Sequence, residues 1–434
     1  MKKIILTTAI LFLCLFNFVY SNGLTLNSIG TASFGMGGAC LGLANDYSAA
    51  YWNPAGIAQL NETEIALSFN TNKPNSTYKL NIFSEYGEAL PGVNATSKSA
   101  MSISPSINFF MPFLKGKLTA GIGIFKPSNI ITEWDGSDIK EISGSNVYNW
   151  KSSIGVYQIS PTVAYNYHDI LFIGAALNLD KGSCELNMPL PFKNSFSQYS
   201  ETSSGWGTGI TLGILYKHSE ILSIGLSFKT KNSIKFSGSA TFDSLATQSS
   251  GFDRDIAWPM WFGAGFAFNP APDITLCADV HYSQWSKTEN KLISKYSETG
   301  WDSVTALMNR KFVLNWQDAL QIKVGVVYQV NENITARIGY YNEPATAPEN
   351  TVNILFPSFS YNAFTAGGSY KIGNIKFELG AEYLSGKERT STDASNIKTL
   401  DLKAYNDKIN LPGNQTSSVI GFSFGVTYHI KAKQ

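Results

Sequence analysis

Charge is scarce in this 434-residue chain, at 15% Asp, Glu, Lys and Arg with a net charge of +1, and no basic cluster occurs anywhere. A nucleic-acid binder needs a basic face, so that class is excluded. Cysteine is nearly absent. Cys14 falls in the first twenty residues, leaving Cys40, Cys184 and Cys277, which are odd in number, scattered and without metal-ligand spacing. This pattern fits neither a disulfide scaffold nor a zinc site, and no metal or cofactor is expected. Histidine is limited to His168, His218, His281 and His429, too few and too dispersed to mark a hydrolase, so the chain is not expected to be an enzyme. Finally, beyond Ser21 no stretch approaches the roughly 18 apolar residues of a membrane-spanning helix.

The first 21 residues do carry such a run. Lys2 and Lys3, an apolar stretch from Ile4 to Val19 and the small residue Ser21 read as an export signal, with the mature chain starting at Asn22. An exported chain without a spanning helix can live in a membrane only as a closed barrel, since every backbone polar group must be paired there.

Alternation supplies the barrel. Ile375, Phe377, Leu379, Ala381 and Tyr383 alternate with Lys376, Glu378, Gly380 and Glu382, and Phe422, Phe424, Val426, Tyr428 and Ile430 alternate with small or polar residues. In a strand these sets face opposite sides, one toward lipid and one toward water. The pattern predicts about fourteen strands, near 63–70, 99–111, 117–125, 157–168, 170–180, 205–216, 221–236, 258–268, 273–285, 317–330, 333–342, 362–371, 374–385 and 417–430. The gaps alternate in length. Short links fall near 112–116, 168–169, 217–220, 269–272, 331–332 and 372–373. Long polar segments fill 71–98, 126–156, 181–204, 237–257, 286–316, 343–361 and 386–416. Short periplasmic turns and long external loops are the rhythm of outer-membrane barrels.

Residues 22–62 do not alternate. They are rich in Gly, Ala and Ser and low in charge, which suits a plug folded inside the barrel better than a solvated tail. The expected organisation is therefore a signal at 1–21, a hatch at 22–62, a barrel at 63–430 and a short tail at 431–434. The glycines of Gly35-Met36-Gly37-Gly38 have no phosphate-loop context and read as close packing. Lys323, Arg337 and Lys376 fall on inward strand faces, as do Glu378 and Glu382. They read as a lumenal salt-bridge network, or as cations that select a carboxylate head group.

At Asn53-Pro54-Ala55-Gly56, preceded by Gly35-Met36-Gly37-Gly38-Ala39 and Asn45-Asp46, the chain resembles the FadL/TodX/OmpP1 family of outer-membrane long-chain fatty acid transporters. Pro259-Met260-Trp261, Asp279-Val280, Ser283-Gln284-Trp285, Trp316-Gln317-Asp318 and Arg337-Ile338-Gly339-Tyr340 are similar to its recurring pattern further along. The resemblance implies a fourteen-stranded antiparallel barrel with an N-terminal hatch and passive uptake of hydrophobic compounds, most simply long-chain fatty acids. It implies that Gly23, Leu24 and Leu26 reach the ligand pocket, with Asn53, Pro54 and Gly56 in the hatch, and that a break in the third strand near Gly121, Gly123 and Pro127 is a lateral gate. Outer-membrane lipids and the barrel assembly machinery are the implied partners of a monomer. A structural or adhesive surface barrel with a plugged lumen is the competing reading, and a polar porin is a third.

Overall fold

The computed structural model describes residues 23–27, 29–193, 195–390, 396–398 and 412–431. The expected export signal, the tail beyond Lys431 and most of 386–416 lie outside them. Fourteen strands form the wall: β1 Thr63–Phe83, β2 Ser102–Phe113, β3 Leu118–Trp134, β4 Trp150–Tyr167, β5 Leu171–Phe192, β6 Ser195–Lys217, β7 Leu222–Lys229, β8 Trp261–Ala271, β9 Ile274–Ser283, β10 Ala319–Gln329, β11 Ile334–Glu343, β12 Tyr361–Ile372, β13 Ile375–Gly386 and β14 Asn414–Ile430. Each pairs antiparallel with the next, and β14 returns to β1 from Thr63↔Ile430 to Lys79↔Asn414. The sheet closes on itself, β14 against β1.

Turns join the strands at one end, such as Gly373-Asn374 between β12 and β13. At the other end several strands run well past the lengths that alternation predicts. Residues 71–83, 126–134, 181–192 and 195–204, expected as loop, continue β1, β3, β5 and β6. A further hairpin, Asn232–Phe242 with Ser249–Trp258, stands between β7 and β8.

The apolar face changes side along these long strands. In β5 the outward residues Ile173 and Leu177 are exposed, whereas past Lys181 the inward residues Leu186, Met188 and Leu190 are buried. In the hairpin, Ile234, Phe236 and Phe242 likewise point in. The lower wall therefore presents oil to its surroundings. The upper wall encloses a hydrophobic core under the loops, to which Trp134, Trp150, Trp301, Phe312 and Leu355 contribute.

Candidate functional site

Residues 23–62 lie inside the barrel, and nearly all the described ones are buried. Asn53 explains how one turn is fixed. Its side-chain oxygen accepts from Ala55 N at 3.3 Å and caps the 3-10 turn Pro54–Gln59, while its amide donates to Leu41 O at 3.0 Å and to Ile214 O of β6 at 3.1 Å. Pro54 at the first position loses no needed donor. Gly56 packs against Ala44 so closely that a Cβ would stand 2.1 Å from the Ala44 carbonyl oxygen. Gly225 and Gly339 of the wall make the same kind of room for Leu41 and Met36.

One wall carboxylate anchors the segment. Asp279 on β9, fully buried, accepts from Cys40 N at 2.8 Å and Leu41 N at 2.9 Å. Lys323, 0% exposed, donates to Asn27 O at 2.9 Å; Gln321 donates to Asn27 Oδ1 at 2.6 Å, and Asn27 donates to Glu343. Tyr341 donates to Glu382 at 2.8 Å. Asn27 is thereby held over β10 and β11.

Above Asn27 lies a cavity of about 150 Å³. Leu26, Ala100, Ile130, Ile131, Phe359 and Leu384 supply its apolar side, and Asn27, Glu343 and Glu382 its polar floor. Leu24 is 7% exposed and fills a neighbouring niche among Ile154, Ile256, Leu292, Trp316 and Phe356, in the core beneath the loops. Gly23 has φ +61°, and a Cβ there would stand 2.4 Å from the Trp285 ring, so no other residue fits without displacement.

The cavity meets a gap in the wall. β2 and β3 pair from Phe113↔Leu118 only as far as Ile107↔Ile124, and contact resumes at Lys98 N to Glu133 O, 2.8 Å, in the same register. Between these points the two strands are splayed. β3 also carries an irregularity between Phe125 and Ser128 against β4, where Pro127 offers no N–H. Asn129 Nδ2 spans the gap to Ile103 O at 2.8 Å, and the Lys98–Glu133 ion pair, 3.0 Å, closes its upper end. That bond raises the Lys98 ammonium above its ordinary pKa. Leu26 N donates to Pro127 O at 2.8 Å, so the inner segment is tied to the irregular strand.

Of the residues singled out from sequence, Gly23 and Leu26 line the cavity, Leu24 its neighbouring niche, and Pro127 lies at the gap. Asn53, Pro54 and Gly56 shape the inner segment away from it. Two expectations need correction. Gly121 and Gly123, expected near a lateral gate in the third strand, both belong to the paired part of β3. Their inward space is taken by Phe110 and Phe125, whose ring atoms would lie 2.5 and 2.4 Å from an added Cβ. The three cations read as carboxylate-selecting do not line the cavity. Lys323 binds the Asn27 carbonyl, Lys376 pairs with Glu378 at 3.3 Å, and Arg337 lies 3.7 Å from the same carboxylate. Cavity, gap and Asp279 anchor draw in Lys98, Asn129 and Asp279, which alternation alone did not mark. A buried acid on the inward face of a strand was the available signal for Asp279.

A closed barrel whose outer face is apolar, with a folded segment and a ligand-sized cavity inside, defines the class: a membrane β-barrel that admits hydrophobic compounds. The model of the family described as outer membrane protein transport protein (OMPP1/FadL/TodX) matches residues 12–430, and the chain belongs to that family. Its place is accordingly the bacterial outer membrane, and its role the transport of hydrophobic compounds. Among solved structures it is similar to a Pseudomonas aeruginosa FadL homologue, with TM-score 0.77 and 16% identity over 94% of this chain and 99% of that one. It is also similar to the Pseudomonas putida toluene transporter TodX (0.70, 16%, 94% and 100%) and the Ralstonia pickettii toluene transporter TbuX (0.70, 18%, 93% and 99%). At these identities the likeness is one of fold. No curated protein matches the sequence.

Proposed function

We propose that this barrel takes up compact, uncharged hydrophobic molecules of about one aromatic ring, which leave the lumen through the gap between β2 and β3. The observation that carries this reading is the cavity itself, bounded by Leu26 of the inner segment and by both edges of the gap. A cavity near 150 Å³ accommodates benzene in an otherwise packed protein interior. Its floor carries the acids Glu343 and Glu382, which offer no cation to a carboxylate, and each candidate cation nearby already has a partner. The toluene transporters among the similar structures accord with this ligand class.

Long-chain fatty acids form the second reading. A chain of sixteen carbons gains on the order of 10 kcal/mol from an apolar site at about 0.8 kcal/mol per methylene. Such a ligand would have to expel Leu24 from its niche to gain length, and Lys98 from Glu133 to gain a cation. Burying a leucine is itself worth roughly 1.5–3 kcal/mol, so the inner segment competes with ligand and aids release. Ligand shifts that equilibrium only by its difference in affinity for the two arrangements.

Residues 23–62, on this account, are the hatch that keeps the lumen shut while the wall gap serves as the route. Equilibrium binding of radiolabelled toluene and palmitate to the purified barrel tests the ligand class. Toluene is expected to bind, Leu26→Trp to abolish that binding by filling the cavity, and palmitate to bind at least tenfold more weakly. Tighter binding of palmitate would establish the fatty acid reading, and binding of neither would overturn both ligand classes.

A further inference from the structure

The outer wall carries a polar patch beside the gap that uptake does not use. Across β3, β4, β5 and β6 one outward row reads Lys126, Tyr157, Lys181, Trp206: Tyr157 pairs with Lys181, and Lys181 with Trp206. Lys126 Nζ stands 5.1 Å from the centre of the Tyr157 ring and Lys181 Nζ 5.3 Å from that of Trp206. The Lys126 ammonium thus covers Tyr157, and the Lys181 ammonium leans from the next strand toward Trp206. Just above, Gly155 pairs with Ser183 and leaves a notch: a Cβ at Gly155 would lie 3.4 Å from Ser183 Oγ and 3.5 Å from Lys126 Cε. Lys181 also donates to Ser204 Oγ at 3.1 Å. Among the described residues neither lysine forms an ion pair; the nearby Lys151 and Glu185 satisfy each other at 2.7 Å. Further along the row Lys235 has Asp255 as its cross-strand neighbour, so the unbalanced charge centres on Lys126 and Lys181.

The position of this row in the membrane decides its partner. Below it the outward residues Ile122, Val163, Ile173, Leu177, Ile210 and Leu212 are exposed and apolar. Above it Ser183, Thr202 and Ser204 are exposed and polar, and the apolar residues turn inward. The row thus marks where hydrocarbon ends and head groups begin, on the loop side. Aromatic residues favour that boundary, and lysines placed there attract anionic head groups.

We infer that Lys126, Lys181 and the Gly155–Ser183 notch bind a phosphate of a phosphorylated glycolipid in the outer leaflet, with Tyr157 and Trp206 against its sugar and upper acyl carbons. Lys126 immediately precedes Pro127, so the bound lipid stands at the rim of the gap and becomes part of its outer frame. The inference rests on the reading that the loop end faces outward, but its test reads lipid retention rather than transport. A failure of ligand uptake therefore leaves it standing.

The experiment compares retention of bis-phosphorylated lipid A on the full barrel by native mass spectrometry, for the natural chain, K126Q/K181Q and K126R/K181R, each confirmed folded by its heat-modifiable mobility. At about 1 kcal/mol per lysine near a charged surface, the glutamine variant is expected to retain lipid A at least tenfold less. The arginine variant should bind as the natural chain does, and dephosphorylated lipid A should bind the natural chain as poorly as lipid A binds the glutamine variant. Equal retention by the glutamine variant, or equal retention of dephosphorylated lipid by the natural chain, would overturn the site.

Discussion

Asp279 illustrates how much a single side chain decides inside this lumen. Its carboxyl group takes two backbone N–H groups of the inner segment and is itself buried. Removing the partner of a buried donor costs roughly 1–3 kcal/mol, more when the lost acceptor is charged. Asp279→Ala is expected to loosen the inner segment without unfolding the wall, seen as raised single-channel conductance in planar bilayers at unchanged barrel yield. Asp279→Asn keeps an acceptor and should raise it less. Gly23→Ala forces a side chain into the Trp285 ring at positive φ and should displace Leu24 from its niche. Toluene binding is expected to change several-fold while folding is unaffected.

Residue roles were unevenly legible in the sequence. Asn53-Pro54-Ala55-Gly56 was legible as a family-like motif, and the turn it caps is a local device of side-chain acceptor followed by proline. Lys323, Arg337 and Lys376 lie on inward faces; Lys376 meets Glu378 two residues along its own strand, but the partners of Arg337 and Lys323 come from a distant strand and from Asn27, which local pattern cannot supply. Cation and carboxylate meet along one strand face, as with Lys376 and Glu378, or across strands, as with Arg337 and Glu378, whereas Lys323 meets a carbonyl of the inner segment.

The third strand carries the argument at the scale of elements. Its lower part, from Leu118 to Ile124, is paired on both sides, and the stretch above that is paired only to β4 until Glu133 and Trp134 meet Lys98 and Ser97. Peptide groups facing lipid without partners are costly, so a splayed pair persists only where side chains or water serve them. Asn129 meets part of that need at Ile103. Replacing Gly121 and Gly123 with valine therefore tests packing rather than a gate. With a Cβ at Gly121 only 2.0 Å from Phe109 O, the double variant is expected to lower the yield of folded barrel on heat-modifiability gels. A normal yield with slowed uptake would restore the glycines as a gate.

Strand number was readable from alternation because the outward face of the lower wall is apolar along every strand. Strand length was not, for a physical reason visible in β5. Past Lys181 the alternation continues with its phase reversed, Leu186, Met188 and Leu190 facing in, and a scan for outward apolar residues stops there. The loops 126–156 and 181–204 consequently looked polar although much of each is strand.

The whole molecule joins a lumen that holds a folded segment to a stretch of wall where β2 and β3 do not pair. Its orientation is open to a simple check: a single cysteine at Asn94 should react with an impermeant reagent on intact cells, and one at Glu332 should not. Deleting 23–60 while retaining the export signal should open the lumen and raise conductance strongly; an unchanged conductance would mean that something else closes it. The central claim is that hydrophobic ligand passes between β2 and β3. Ser104 Oγ and Asn129 Nδ2 face each other across that gap at 3.3 Å, and Cys40, Cys184 and Cys277 are buried away from solvent. The direct measurement is the initial rate of radiolabelled toluene uptake by cells carrying the S104C/N129C barrel, oxidised and then reduced. A rate that falls at least several-fold on oxidation and returns on reduction is the expected result, and an equal rate in both states would contradict passage through the wall.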